Sequence, residues 1–188
     1  MSPTWLDFVG SVIMGTLAIF LIMNLNAQVS TNKNEITANG MIQGNISALG
    51  DVMENDFYKI GYRITGDKIS KTSLNQFTYL ADINNDGNTH SIYYYLGDTS
   101  QARFTKNPND KPLFKVIDNG SPQTIALVRD CQFAFYDSTG AQISDTSVTG
   151  RRLIRIVKLY LRSESPDLIN NYYQMAEYSR KIKPMNLK

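Results

Sequence analysis

The stretch Leu6-Asp-Phe-Val-Gly-Ser-Val-Ile-Met-Gly-Thr-Leu-Ala-Ile-Phe-Leu-Ile-Met-Asn-Leu25 decides the architecture of this chain. It is mostly apolar, and its one charged side chain is the acid near its start, Asp7. About 20 residues at a helical rise of ~1.5 Å each match the ~30 Å hydrocarbon layer of a bilayer. The stretch therefore predicts a membrane-spanning helix. An unpaired carboxylate is costly in such a helix, so Asp7 is a candidate functional residue.

Such a segment serves either as a retained anchor or as a cleaved secretory signal. It is longer than the ~7–15 apolar residues of a usual signal peptide, and no basic residue precedes it. The residues around Ala27 also make a weak cleavage site. Retention as an anchor is the favoured interpretation. The first basic residue is Lys33, beyond the segment, so the positive-inside rule does not predict its orientation.

The remaining chain predicts one folded domain with a core. The whole chain has 188 residues, of which 19% are charged and 11% aromatic, a composition typical of a β-rich domain. The single Cys131 excludes an intramolecular disulfide and a cysteine-rich metal site.

Charge is unevenly spread along the chain. Residues 1–150 hold ten basic and fourteen acidic residues, and residues 151–188 hold nine and three, so the balances are −4 and +6. The basic end is either the solvated face of C-terminal strands or a surface for acidic lipid or an acidic neighbour. No nucleic-acid-binding motif accompanies it, so no nucleic-acid partner is predicted.

The helix is predicted to continue beyond the membrane as an amphipathic helix over residues 28–64. Apolar residues recur there at steps of three and four: Ile42, Ile46, Leu49, Met53, Phe57 and Ile60. The polar face is assigned to Gln43, Asn45, Asp51, Glu54 and Asn55. Glycines at 40, 44 and 50 predict a melted or bent stretch. Gly61 and Gly66 predict that the helix ends near residues 58–64.

Residues 65–188 show short β-like runs separated by turn residues. Strands are predicted at 77–83, 91–96, 102–106, 113–118, 124–128, 131–136, 153–162 and 172–180. The tight connections favour antiparallel pairing. The predicted fold class is α+β, with three parts: a transmembrane helix at 1–27, its amphipathic continuation at 28–64, and an antiparallel β-sheet domain at 65–188 on which the helix packs.

One loop resembles the start of a calcium-binding loop. Asp82, Asn84 and Asp86 place oxygen atoms at alternate positions before Gly87, but the twelfth position is Tyr93 rather than a bidentate Glu. Two interpretations are open, a hairpin turn of Asn, Asp and Gly or a weak calcium site completed by other loops. Calcium is the only cofactor that the sequence suggests.

The sequence does not predict an enzyme. His90 is the only histidine, and no Ser/Asp partner pattern surrounds it. A Gly-rich phosphate loop, a Gly-x-Ser-x-Gly elbow and a His-Glu-x-x-His motif are all missing from the sequence.

The order of these features resembles the type IV filament superfamily, and above all its J-type pseudopilins and PilW-type minor pilins. The resemblance lies in five places, one of which is a long strand at 151–162. Pro3 to Val9 is similar to the mature start Phe-Thr-Leu-Ile-Glu-Leu-Leu, and Asn55 to Tyr62 to a motif at the helix end. Val128 to Gly140 is similar to the Phe-x-Tyr-x-Asp-x-x-Gly hairpin, and Lys183 to Leu187 to the closing Pro-Arg-Asn-Leu.

The resemblance implies a pilin-like fold and assembly through the N-terminal helix. Asp7 would fall on the family's acid and pair with the N-terminal amine of a neighbouring subunit, with Thr4, Leu6 and Phe8 in the same contact. The implied partners are other pilin or pseudopilin subunits, the inner-membrane assembly platform and, before assembly, membrane lipid. The implied location is the membrane and then an extracytoplasmic filament of a type IV pilus or a type II secretion system.

Three functions remain open at this point. The favoured one is a structural minor pilin or pseudopilin. The second is the principal subunit of such a filament, which would be made in great excess over a tip subunit. The third is a single-pass anchored sensor or binding module, whose helix would contact only lipid and for which Asp7 would be an unexplained cost.

Overall fold

The computed structural model describes residues 3–188 and has an α+β architecture. A single helix, α1 (Pro3–Tyr58), holds 56 residues and is therefore ~84 Å long. After it come β1 (Ile69–Thr72), β2 (Gln76–Ala81), β3 (His90–Leu96), β4 (Lys111–Ile117), β5 (Gln123–Val128), β6 (Asp130–Tyr136), α2 (Val148–Leu153), β7 (Ile156–Glu164) and β8 (Met175–Ile182).

The strands form two antiparallel sheets rather than the single sheet that the sequence predicts. The first sheet has the order β1-β2-β3-β4-β5 and the second β6-β7-β8, so each strand lies beside its neighbour in sequence. The chain changes sheet at Arg129, the one residue between β5 and β6. Its N–H donates to the carbonyl of Arg162 in β7, 2.8 Å away, which begins the second ladder.

The core lies where α1 meets both sheets. Phe57 of α1 contacts the rings of Phe77, Tyr79, Tyr94 and Phe133, with centroid distances of 5.4–6.0 Å. Three of these rings belong to the first sheet and Phe133 to the second. One aromatic side chain of the helix therefore joins the two sheets into one core.

Two segments differ from the strand prediction because local hydrogen bonds favour tighter turns. Residues 102–106, predicted as a strand, follow a 3₁₀ helix (Thr99–Ala102), and the Thr105 hydroxyl donates to the Ala102 carbonyl at 3.0 Å. The predicted strand at 153–162 begins three residues later. Its first residue, Leu153, is the last residue of α2, and the Ser147 side chain caps the start of α2 by accepting from the Gly150 N–H at 3.2 Å.

Helix α1 runs unbroken through all three glycines of the predicted bend. Gly50 has a packing reason: a Cβ built there would lie 2.5–2.6 Å from the Tyr178 ring of β8, so only glycine permits this approach. Gly40 and Gly44 have open space around them. The helix ends within the predicted range, and Gly61 in the turn that follows has a φ of 72°.

Candidate functional site

The first half of α1 stands clear of the rest of the protein. Residues 4–30 are all exposed, and large apolar side chains face every side of the helix, including Trp5 at 68% and Phe20 at 61% exposure. By length and composition, α1 is the one helix among residues 3–188 that can cross a membrane. A helix that is apolar all round is stable only when lipid or other protein covers it.

Asp7 lies inside this apolar surface, beside exposed Leu6 and Phe8. It is the only charged residue between positions 4 and 32. Within residues 3–188, its carboxylate makes no hydrogen bond and no ion pair. Thr4, also predicted for the assembly contact, is exposed one helical turn before Asp7. The four residues predicted for assembly thus lie together at the start of the exposed segment.

Two hydroxyl groups of this segment are satisfied by their own helix. Ser11 donates to the Phe8 carbonyl and Thr16 to the Val12 carbonyl, each at 2.8 Å. Such bonds let a hydroxyl enter an apolar environment without an orphaned donor. The surface from Phe8 to Phe20 is therefore suited to a dry setting, and the costly group beside it is the Asp7 carboxylate.

The second half of α1 is docked on the sheets along the predicted apolar stripe. The first side chains of α1 that are shielded from solvent are half-buried Thr31, Glu35 and Ala38. The residues of the apolar stripe that follow are buried, except Leu49, which is partly buried. Met53, Phe57 and Ile60 are completely buried. At ~25 cal/mol for each Å² of apolar surface removed from water, each such side chain contributes on the order of 1.5–3 kcal/mol.

Glu54 ties this half of the helix to the second sheet. It lies on the docked face, and not on the polar face to which the sequence pattern assigns it, because β8 covers it to 7% exposure. Its carboxylate accepts from the Tyr178 hydroxyl at 3.2 Å and pairs with Arg180 Nε at 3.1 Å. The Tyr58 hydroxyl donates to it at 2.9 Å, and this bond raises the pKa of Tyr58.

Asp56 ties the same turn to the first sheet. Its carboxylate pairs with Lys115 Nζ of β4 at 2.5 Å and accepts from the Tyr94 hydroxyl of β3. Its backbone carbonyl accepts from the Tyr79 hydroxyl at 3.1 Å. Burial, followed by the neighbouring Tyr79 and the Asp56 charge, raises the pKa of Tyr94 far above its ordinary value. The Tyr94 hydroxyl therefore stays protonated and donates.

Neither of these acidic anchors is predicted from the sequence. Glu54 follows the stripe residue Met53, and Asp56 precedes the stripe residue Phe57. This position beside the stripe is the one local sequence signal for their role. The strand residues that contact these two carboxylates lie 38 to 126 residues away in sequence, so no spacing rule connects them.

The predicted calcium loop is closed by its own hydrogen bonds. Asn84 donates to Asp86 at 2.9 Å, the Asn88 N–H donates to Asp86 at 2.7 Å, and these bonds lower the pKa of Asp86 to about 2. Asp82 instead faces the Gly87 N–H at 3.2 Å and Arg63 at 3.4 Å. Among residues 3–188, no three His, Cys, Asp or Glu side chains converge as a metal site. These hydrogen bonds are those of a turn of Asn, Asp and Gly, and calcium binding at Asp82, Asn84 and Asp86 stays a prediction.

His90 closes the same end of the sheet. Its Nδ1 lies 2.5 Å from Asp118 Oδ2, and its Nε2 lies 3.0 Å from Asn84 Oδ1. The bond to Asp118 raises the pKa of His90, and the same bond lowers the pKa of Asp118. The pair fixes the Asp118–Asn119 turn between β4 and β5, where both residues have positive φ.

The geometry thus brings two features into one helix: an exposed apolar segment with a lone acid, and a docked segment held to both sheets by Glu54 and Asp56. Comparison of the chain with protein-family models, with curated proteins and with solved structures finds no match. The case for a function therefore rests on these residues and their surroundings.

Proposed function

We propose that this protein is a structural, non-enzymatic subunit of a type IV pilus or of a type II secretion-like filament, at or near the tip as a minor pilin or pseudopilin. It waits in the membrane with the apolar stretch, residues 6–25, in lipid and then enters a filament whose core is built from such helices. The observation that carries the proposal is the single continuous helix, apolar all round in its first half and locked to a β-domain in its second.

The exposed segment supports assembly more than simple anchoring because of Asp7. Lipid supplies no partner for a carboxylate, whereas a neighbouring subunit can supply a cation such as an N-terminal amine. Pairing would offset the desolvation cost of Asp7 and would also fix the axial register between subunits, since only one offset brings the two charges together. Thr4, Leu6 and Phe8 would form the contact around that pair.

The docked half supports the same role. A subunit that is pulled from lipid into a filament needs its helix and β-domain to move as one body. The buried stripe and the two acidic anchors hold them together on both sheets.

The first test is mass spectrometry of the N-terminal peptide from natively expressed protein, in membrane and sheared-filament fractions. We expect the protein in the filament fraction with a processed or methylated N-terminus that places Asp7 fifth. An intact Met1 found only in membranes would contradict the proposal and favour the anchored sensor or binding module.

The second test is Asp7→Ala. We expect normal amounts in the membrane and a reduced amount in filaments, because the register-fixing pair is lost. Ser11→Ala is the matched control, since the Ser11 hydroxyl bonds only to its own helix and lies one turn away. Normal incorporation of Asp7→Ala would rule out this role for Asp7.

A further inference from the structure

A basic cleft lies at the end of the β-domain where α1 ends. It has a volume of about 270 Å³ and is lined by Lys68, Arg151, Arg152 and Arg155 around a floor that includes buried Ile154. Lys68 Nζ donates to the carbonyl of Asn186, and the Asn186 amide donates to the carbonyl of Ile60 at 3.4 Å. The cleft therefore adjoins the turn that follows α1, opposite to the exposed apolar segment.

Three of its cations are held in place by backbone carbonyl oxygens. Arg151 Nε donates to the Ile69 carbonyl at 3.2 Å, and another of its N–H groups donates to the Thr146 carbonyl. Arg155 donates to the carbonyls of Arg152 and Ile154, at 2.6 and 2.9 Å. Lys68 is held by Asn186, as described above. All three side chains are half-buried, and each guanidinium keeps further N–H groups for a ligand.

Among the described residues, no carboxylate forms a close ion pair with these three cations, and the charges of Asp67 and Asp145 act on Arg151 only at longer range. Within residues 3–188, Lys68, Arg151 and Arg155 form no ion pair, and the cleft's Asp67 is taken by Arg152 at 2.6 Å. The nearby Asp145 accepts instead from the N–H and hydroxyl of Ser147, at 2.8 and 2.7 Å. A carbonyl oxygen orients a cationic side chain but does not neutralise its charge. The cleft is therefore a preorganised site for an anion.

We propose that this cleft binds a phosphate group, carried either by free phosphate or by a phosphomonoester. Arginine forks match the oxygen atoms of phosphate in a bidentate manner, and the lysine adds a point charge. The apolar floor has room for a small organic substituent on the phosphate. The ligand comes from the aqueous side, because the cleft lies at the far end of α1 from the segment that enters the bilayer. This binding does not depend on filament assembly.

The test uses the full-length protein in nonionic detergent at low ionic strength. Isothermal titration calorimetry is carried out with inorganic phosphate and with phenyl phosphate. We expect both to bind at the same site, and Arg155→Gln to weaken binding roughly tenfold or more through loss of a charge-assisted contact. Tighter binding of phenyl phosphate would identify a phosphomonoester as the natural ligand, and equal binding would identify free phosphate.

Arg103→Gln is the matched control, because it removes the same charge from an exposed side chain outside the cleft. We expect it to leave the affinity within twofold. Lys68→Gln provides a second variant in case Arg155→Gln alters the fold, which circular dichroism would show. Failure of both anions to bind, or equal weakening by Arg103→Gln, would overturn the proposal.

Discussion

The two halves of α1 share one backbone but differ in everything around them. Residues 4–30 are exposed on every side, whereas residues 42–58 bury one stripe, with Leu49 partly exposed, and hold both sheets through Glu54 and Asp56. The first half is apolar on all faces and the second on one face. A single apolar face marks the part of a long helix that is docked on its own domain, and apolar residues on all faces mark the part that is not. Helix propensity does not make this distinction.

The strongest test of this comparison replaces one phenylalanine in each half. We expect Phe57→Ala to lower the free energy of unfolding by about 3–5 kcal/mol, because it removes a ring in contact with four others and leaves a cavity. Phe20→Ala should change it by less than about 0.5 kcal/mol, since Phe20 contacts no core. Urea unfolding in nonionic detergent measures both. Equal losses would show that the first half also packs on the domain.

The acidic anchor is the next target. We expect Asp56→Ala to cost about 2–3 kcal/mol, because half-buried Lys115 and the Tyr94 hydroxyl both lose their partner. Asp51→Ala is the matched control on the exposed face of the same helix and should be neutral or slightly stabilising. The same unfolding assay reports both variants, and a neutral Asp56→Ala would remove this pair from the account of docking.

Glycines distinguish the halves on a smaller scale. Gly50→Ala should destabilise the protein by about 1–3 kcal/mol, because the new methyl group meets the Tyr178 ring. Gly40→Ala meets open space and should stabilise the helix by about 0.5–1 kcal/mol. Hydrogen exchange around each position measures the effect. A gain in stability at both positions would mean that the Tyr178 ring moves aside without an energetic cost.

The smallest expected effect is a pH response that belongs to the β-domain and not to the helix. Asp118 raises the pKa of His90 in the folded protein. The stability that protonated His90 contributes is therefore fully present below about pH 6.5 and is lost as the pH rises through the raised pKa. The Asp118 pKa is lowered, so its contribution is present above about 3.8 and is lost as the pH falls. Stability from the pair is therefore greatest between these limits.

Nuclear magnetic resonance of the His90 ring checks this directly. We expect a pKa above 6.5 in the native protein and a return toward that value in Asp118→Asn. An unchanged pKa in the variant would show that Asp118 is not the partner in solution.

Much of the fold follows from local patterns in the sequence. The docked stripe was predicted residue by residue, because a period of 3.6 leaves few alternatives over five turns. Seven of the strands were located within a few residues, since alternation and turn residues are local signals. The four-residue β1, with two polar residues inside it, gave no such signal.

The features that escaped prediction depend on contacts distant in sequence. Two sheets arise where Arg129 bonds to Arg162, and Glu54 meets Tyr178 across 124 residues. The basic cleft likewise joins the β1 region to α2. For the site, the exposed segment and Asp7 were visible in the sequence, whereas the two acidic anchors were not, because their role is set by partners on three different strands.

The docking of α1 also has a mechanical consequence. Its buried contacts, from Ile42 to Phe57, are spread over ~22 Å along the helix axis. A pull on the exposed segment, directed along that axis, would load these contacts in shear, so that they share the force and fail together. A sideways pull would peel them one at a time from the Ile42 end. The protein should thus withstand tension along its rod far better than across it.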